Sequence, residues 1–141
     1  MSEIIKLSDL PCHVDDRGRI QMVFERCNVR SISRIESFPG QFRARHQHIE
    51  SHWCEVTEGQ IEIYHATLDK NQKCINKPTK DLVNKGEIIY TSPHVFHEMV
   101  FNVYTTFICY ADQPRSQNDY EAGLIRYPTI SLKKIFDNWE D

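Results

Sequence analysis

The sequence has no apolar run long enough to span a bilayer and no cluster of charges of one sign. Its 141 residues include 17 Lys and Arg and 20 Asp and Glu, which gives a formal net charge of −3, and the basic residues are scattered. Such a chain lacks the concentrated positive charge that binds nucleic acid or an anionic membrane. The N-terminal residues M-S-E-I-I-K also lack the apolar segment of a secretory signal. We therefore expect a cytoplasmic protein with neither nucleic-acid nor membrane partners.

Paired cysteine motifs are absent as well. The five cysteines are an odd number, and no two of them have C-x-x-C spacing: Cys12, Cys27, Cys54, Cys74 and Cys109. Without a secretory segment, this pattern predicts reduced thiols rather than a disulfide framework or a zinc knuckle. Cys54 and Cys109 lie in apolar, strand-like surroundings, so we expect them to pack as small hydrophobic residues, with a nucleophilic role as the alternative.

The length and composition predict one globular domain over residues 1–141. Apolar residues make up 40% and charged residues 26% of the chain, and no repeat or linker divides it. Short apolar or alternating runs recur with turn signals between them, which is typical of an all-β jelly-roll barrel. We expect residues 1–14 to form an N-terminal arm or edge strand. Residues 128–141 are expected to form a C-terminal tail with a short helical turn capped by Ser131.

Histidine is concentrated in one stretch of the chain. Three of the seven histidines lie between Gly40 and Gly59, at the same parity: His46, His48 and His52. On a β-strand this spacing sends the side chains to one face. A fourth, His97, follows a short apolar strand farther along. We predict that these four imidazoles converge inside the barrel and bind a divalent transition metal (Fe, Mn, Ni or Zn), because neutral imidazole is a good ligand for such ions.

A metal-bound imidazole usually donates its other ring N–H to a carboxylate or a carbonyl. The candidate carboxylates close to the histidines in sequence are Glu50, Glu55 and Glu98. The remaining histidines are interpreted as surface residues or as core residues with satisfied hydrogen bonds: His13, His65 and His94.

The histidine-rich stretch resembles the first conserved box of the cupins. That box has a glycine, five residues, His-x-His, a glutamate and a closing glycine, and the chain matches it at Gly40, His46, His48 and Gly59. His52 stands where the family usually has glutamate.

The second cupin box places a histidine eleven residues after a glycine, and Gly86 and His97 keep that interval. Other features of this box differ: its proline is displaced to Pro93, its internal glycine is replaced by His94, and its terminal asparagine comes one position late. The resemblance covers residues 40–102 and implies a cupin barrel. The same barrel supports many chemistries, so it does not imply one activity.

A second resemblance extends from residue 15 to about residue 126. The segments D-D-R-G-R-I, F-R-A-R-H-Q-H, S-P-H-V-F-H-E-M and P-R-S-Q-N-D-Y-E are similar to those of small cupins in bacterial polysaccharide pathways. These include the nucleotide-sugar 3,4-ketoisomerases and, more distantly, the dTDP-4-dehydrorhamnose 3,5-epimerase group. The resemblance implies proton abstraction α to a sugar ketone, followed by reprotonation at a neighbouring carbon.

The same resemblance implies roles for particular residues. His46 and His48 match the histidines that act as an acid–base pair without a metal, a task that suits a side chain with a pKa near neutrality. Arg43 matches an arginine that could contact a phosphate, although a regular strand would place it on the opposite face from His46. Tyr90 is a candidate to border the cavity and the substrate, with an ordinary packing tyrosine as the alternative.

Several functional interpretations follow, and we favour a metal-binding cupin that acts as an isomerase or epimerase on a sugar or nucleotide-sugar. The alternatives are a metal-free 3,4-ketoisomerase that uses His46 and His48, a cupin dioxygenase, a non-catalytic sugar-binding cupin, and a purely structural protein. Because all-β barrels often pair their edge strands with a second copy, we expect a homodimer.

Overall fold

The computed structural model describes residues 2–25, 28–114 and 122–140. Within these ranges the chain forms antiparallel strands of three to seven residues and a short C-terminal α-helix. The strands build two five-stranded sheets and a separate two-stranded hairpin. This arrangement confirms the predicted all-β jelly-roll architecture.

The two sheets pack face to face. Sheet I contains, in spatial order, β1 (Ser2–Lys6), β9 (Glu87–Thr91), β6 (His52–Glu58), β11 (Thr105–Ala111) and β4 (Ser31–Ser37). Sheet II contains β12 (Leu124–Arg126), β5 (Phe42–His48), β10 (Phe96–Val100), β7 (Gln60–Ala66) and β8 (Thr79–Asn84). The N-terminal strand β1 therefore lies at an edge of sheet I.

The hairpin connects β2 (Cys12–Asp15) to β3 (Gly18–Gln21). Asp15 stabilises the turn because its Oδ1 accepts a hydrogen bond from the backbone N–H of Arg17 at 2.9 Å. Gly18 has a φ of 133°, a conformation that is strained for residues with a side chain.

The core lies between the sheets, as the alternating pattern of strand residues requires. Along β11, Thr105, Phe107, Cys109 and Ala111 are buried and the residues between them are partly exposed. The buried apolar cluster draws on both sheets and includes Val56, Ile61, Ile63, Ile89, Met99 and Phe101.

A β-bulge in β5 changes which side chains face the core. The pairing of β10 with β5 shifts register between His97, which is opposite His46, and Glu98, which is opposite Ala44. Ala44 and Arg45 have positive φ values of 75° and 56°. The extra residue reverses the alternation, so side chains three positions apart emerge on the same face.

The C-terminal tail packs on the outer face of sheet II. Its helix α1 (Leu132–Asp137) is capped by Ser131, whose hydroxyl accepts a hydrogen bond from the N–H of Lys134 at 3.3 Å. Leu132 is fully buried against Tyr64 and Phe96. No helix in the described ranges is both long and apolar enough to cross a membrane.

Two sequence predictions fall partly outside the described residues. These are the state of Cys27 and most of the P-R-S-Q-N-D-Y-E segment. The other four cysteines are thiols that are not joined in disulfides.

Candidate active site

Three of the four predicted histidines meet inside the barrel. His46 and His48 come from β5 and His97 from the adjacent β10, where it is the register partner of His46. The ring centres are 5.4 Å apart for His46 and His48, 4.7 Å for His46 and His97, and 4.9 Å for His48 and His97. All three side chains are buried. We call these residues the imidazole triad.

Backbone carbonyls orient two members of the triad. The Nδ1 atom of His48 lies 2.9 Å from the carbonyl oxygen of Glu50, and the Nδ1 atom of His97 lies 3.2 Å from that of Val95. A carbonyl oxygen only accepts hydrogen bonds, so each Nδ1 carries the proton and each Nε2 keeps its lone pair. This tautomer is suited either to a base or to a metal ligand.

His97 stays neutral because of its surroundings. Burial, and then the neighbouring imidazoles of His46, His48 and His65, hold the pKa of His97 well below its ordinary value. The triad therefore includes an imidazole that does not take up a proton at neutral pH.

His52, the fourth predicted histidine, reaches the triad from the facing sheet. It begins β6 in sheet I, whereas the triad belongs to sheet II. Its Nε2 atom lies 3.0 Å from Oε1 of Glu50, and its Nδ1 atom lies 3.5 Å from Sγ of Cys109. Both ring nitrogens of His52 therefore have side-chain neighbours, and the four-imidazole ligand set stays a prediction.

The partners of His52 favour its charged form. Burial opposes protonation, but the hydrogen bonds and charges of Cys109 and Glu50 outweigh it and raise the pKa of His52 to about 9. The ring of His52 stacks on that of His48 at 3.9 Å between centres. An imidazolium paired with Glu50 thus lies directly beside the triad.

Of the three glutamates that were candidate acceptors, Glu50 contacts a histidine side chain in the described structure. Glu55 lies on the outer face of sheet I and accepts a hydrogen bond from the Tyr110 hydroxyl at 2.9 Å. Glu98 lies on the outer face of sheet II and pairs with Arg45. Successive side chains of a strand point to opposite faces. Glu55 and Glu98 each follow a residue that faces the core, so their side chains point outward, away from the histidines.

Of the other three histidines, two are exposed and one is buried. His13 and His94 are exposed. His65 is buried next to the triad, with its ring centre 5.9 Å from that of His97 and its Nε2 atom 2.8 Å from Oγ1 of Thr91. Burial lowers the pKa of His65 to about 3, so it is neutral.

A small cavity of about 60 Å³ opens beside the triad. Its lining includes Arg43, His46, His97, His52, Cys54 and Cys109. Arg43 reaches it because the bulge in β5 places this side chain on the same face as His46, contrary to the regular-strand expectation. The guanidinium donates to Oγ of Ser37 and to the carbonyl oxygen of Glu36, both at 2.6 Å.

A second cation near the triad was not anticipated from the sequence. Arg126 in β12 is the register partner of His46, so both side chains emerge on the same face of sheet II. No motif marks this residue, and only the pairing of β12 with β5 reveals its position.

Tyr90 is not brought to the triad. Its register partner in sheet I is Trp53, which lies between the inward-facing residues His52 and Cys54. The tyrosine ring packs on Trp53 at 4.9 Å between centres, and its hydroxyl lies 3.1 Å from Oγ of Ser51. Tyr90 therefore belongs to the outer face of sheet I, opposite the predicted cavity position.

The imidazole triad is chemically suited to a divalent transition metal. His46, His48 and His97 each offer one ring nitrogen, and the three atoms lie within 4.8 Å of one another. A second group with the same spacing consists of His48, Glu50 and His52. All three residues are buried, and in His48 and His97 the Nδ1 atom is bonded to a backbone carbonyl, which leaves Nε2 as the ligand atom. These features fit such an ion.

Solved structures with a similar fold include nucleotide-sugar epimerases and ketoisomerases. One similar structure is a dTDP-4-dehydrorhamnose 3,5-epimerase from Sulfolobus tokodaii, which is 18% identical, with a TM-score of 0.65 over 93% of this chain and 82% of that chain. Another is QdtA, a sugar 3,4-ketoisomerase from Thermoanaerobacterium thermosaccharolyticum in complex with TDP. It is 15% identical, with a TM-score of 0.67 over 96% of this chain and 92% of that chain.

A third similar structure is WlaRA, a TDP-fucose-3,4-ketoisomerase from Campylobacter jejuni. It is 13% identical, with a TM-score of 0.68 over 96% of this chain and 93% of that chain. No protein-family profile and no curated protein sequence matches the chain. At these identities the likeness defines the fold and leaves the activity to the residues of the site.

Proposed function

We propose that this protein is an isomerase or epimerase that moves a proton at the carbon next to the ketone of a nucleotide-sugar. The observation that carries the proposal is the convergence of three buried imidazoles beside a cavity that also receives Arg43. The solved proteins with this fold that carry out such reactions give independent support.

The reaction requires groups that both take and return protons. A base removes the proton from the carbon beside the ketone, and an acid protonates the ketone oxygen, which gives an enediol. The proton of the neighbouring hydroxyl is then removed and the former carbonyl carbon is protonated, so the ketone moves by one carbon. In an epimerisation, the proton instead returns to the first carbon from the opposite face.

His46 and His48 fit these roles. His46 lines the cavity, so we assign it the proton that leaves the carbon. His48 lies behind it, with a ring centre 5.4 Å away and a tautomer set by the Glu50 carbonyl. We assign His48 the protons of the sugar oxygens. Histidine suits both tasks because it exchanges protons near neutral pH.

The size of the cavity limits what enters it. About 60 Å³ is far below the roughly 300–1,000 Å³ of a site that encloses a whole ligand. Only the reacting edge of a sugar fits beside His46, and the nucleotide must lie at the entrance. Arg43 and Arg126 flank His46 on the same face of sheet II and can pair with the diphosphate there.

Thermal shift and product analysis test this proposal together. TDP and TDP-4-keto-6-deoxyglucose should each raise the melting temperature, because a ligand that binds the native state stabilises it. Proton NMR of the second mixture should show conversion to an isomer or epimer. Glucose 1-phosphate serves as the control, since it lacks both the ketone and the nucleotide. Absence of both stabilisation and conversion across a panel of nucleotide-linked ketosugars would contradict the proposal.

A metal-dependent form of the same reaction is the second candidate, because the triad atoms lie within 4.8 Å of one another. His46, His48 and His97 would hold the ion. A divalent transition metal, when bound, would polarise the ketone oxygen and stabilise the enediolate. In that case His46 and His48 serve as ligands, and Arg43 still orients the substrate.

We also propose that the protein acts as a homodimer that pairs through the outer edge of sheet I. β4 is the edge strand of that sheet, and its outward-facing Ile32 is 65% exposed. Sedimentation analysis should show a dimer that Ile32→Glu converts to a monomer. Leu82→Glu, an equivalent change on the edge strand β8 of sheet II, should leave the dimer intact.

A further inference from the structure

Two cysteines are paired directly across neighbouring strands of sheet I. Cys54 in β6 is the register partner of Cys109 in β11. Both side chains point into the barrel, both are 3% exposed, and both line the cavity that His46 shares. Neither residue has a part in the proposed proton transfer.

The positions of these strands suit a disulfide. Directly opposed residues of an antiparallel pair have Cα atoms about 4.5–5.5 Å apart. Disulfides span Cα separations of about 4.4–6.8 Å. The two thiols are therefore held at a separation that a disulfide can bridge without a rearrangement of the strands.

An imidazole stands next to one of the two thiols. The Nδ1 atom of His52 lies 3.5 Å from Sγ of Cys109, and the Nε2 atom of His52 lies 3.0 Å from Oε1 of Glu50. The three side chains form a buried chain in the order thiol, imidazole, carboxylate. The contact holds the sulfur of Cys109 in place at the wall of the cavity that both cysteines line.

We propose that Cys54 and Cys109 form a redox-active dithiol, which hydrogen peroxide oxidises to a disulfide between β6 and β11. The sulfur of Cys109 attacks one peroxide oxygen, the O–O bond breaks, and the hydroxide that leaves takes the thiol proton and departs as water. The resulting sulfenic acid is attacked by the sulfur of Cys54, the S–S bond forms, and a second water leaves. Overall two thiols are oxidised by two electrons and one peroxide is reduced to two waters.

The cavity restricts which oxidants reach the dithiol. A volume of about 60 Å³ exceeds the roughly 30 Å³ that one water occupies in the liquid, so a molecule as small as peroxide fits. A tripeptide disulfide or an aromatic disulfide does not. Selectivity for a small oxidant therefore distinguishes this dithiol from the exposed Cys12.

The experiment treats the folded protein with hydrogen peroxide, traps the remaining thiols with a maleimide after unfolding, and maps the peptides by mass spectrometry. The expected product links the peptides of Cys54 and Cys109 and has lost two hydrogens. It should form in the Cys12→Ser protein at the wild-type rate, and it should not form with glutathione disulfide as the oxidant. If both residues remain reduced at peroxide levels that oxidise Cys12, the proposal is overturned.

A variant separates the dithiol from nonspecific oxidation. Cys54→Ser should leave Cys109 as a sulfenic acid, since no second thiol is opposite it, and dimedone added as the protein is unfolded should trap that acid. A disulfide that instead joins either residue to Cys12 or Cys74 would contradict the pairing.

Discussion

The partly exposed Arg45 and the buried Glu98 form an ion pair at the bulge in β5. The Nε atom of Arg45 lies 2.5 Å from Oε2 of Glu98, and its terminal nitrogen donates to the carbonyl oxygen of Pro128 at 2.7 Å. The other carboxylate oxygen of Glu98 accepts hydrogen bonds from the Ser131 hydroxyl and from the N–H of Lys133. One carboxylate thus links the bulge, which turns Arg43 toward the cavity, to the start of helix α1.

Replacing Glu98 should destabilise the protein strongly. Glu98→Gln removes the charge that pairs with Arg45, and breaking a buried pair costs about 3–5 kcal/mol in the free energy of unfolding. Urea unfolding measures the loss. Asp137→Asn is the matched control, because Asp137 is an exposed carboxylate whose pair with Lys133 should contribute less than about 0.5 kcal/mol. Equal stability of the two variants would mean that Arg45 and Glu98 do not hold the bulge.

Arg43 should contribute to nucleotide binding rather than to the triad's chemistry. Arg43→Met keeps the length of the side chain but removes the charge, and we expect TDP to bind about tenfold more weakly. That factor corresponds to about 1.4 kcal/mol, which is near the lower end of the range for a hydrogen bond to a charged group. Isothermal titration calorimetry measures the change. Arg34→Met, on the outward side of β4, provides the control and should bind TDP like the wild type. Unchanged affinity in Arg43→Met would place the diphosphate elsewhere.

The pair of His52 and Glu50 should make stability depend on pH above neutrality. The folded state raises the pKa of His52 from 6.5 to about 9, so folded protein binds more protons than unfolded protein between these values. The stabilisation is complete below pH 6.5 and disappears as the pH rises through 9, with a size of up to about 3 kcal/mol. Urea unfolding across this range should show the loss in wild type and a flatter profile in His52→Gln. Parallel profiles would contradict the charge assigned to His52.

Metal content distinguishes the two forms of the proposed reaction. If the triad holds an ion, protein purified without a nickel column should contain about one equivalent of Fe, Mn, Ni or Zn. His97→Ala should then lose it, because two imidazoles bind far more weakly than three. Inductively coupled plasma mass spectrometry measures the content, with His13→Ala as the control at an exposed position. Full activity in metal-free wild-type protein would assign the reaction to His46 and His48 alone.

Three residues of the site show what the sequence could and could not predict: His97, Arg43 and His52. The position of His97 inside the barrel could be predicted, because its interval from Gly86 matches the second cupin box, in which a turn and a strand precede the histidine. The face of Arg43 could not be predicted, because the bulge uses positive φ values at Ala44 and Arg45, where no glycine gives a signal. His52 keeps the parity of His46 along the chain. However, the bend over residues 49–51 carries the chain from one sheet to the other, so parity no longer indicates a shared wall.

Long-range register accounts for the remaining differences. The pairing of Cys54 with Cys109 and that of Arg126 with His46 join residues more than 50 positions apart, and no local pattern encodes them. The face that Tyr90 occupies follows only from its pairing with Trp53 in the neighbouring strand.

Exchange of substrate hydrogens with solvent deuterium tests the central claim most directly. The protein is incubated with TDP-4-keto-6-deoxyglucose in D₂O, and the hydrogens beside the ketone are followed by proton NMR. We expect deuterium to enter at one of these carbons in wild type, and the rate to fall by at least about 100-fold in His46→Asn and in His48→Asn but not in His13→Asn. Incorporation that persists unchanged in both triad variants, or none in wild type despite binding of the nucleotide-sugar, would contradict proton transfer by the buried imidazoles.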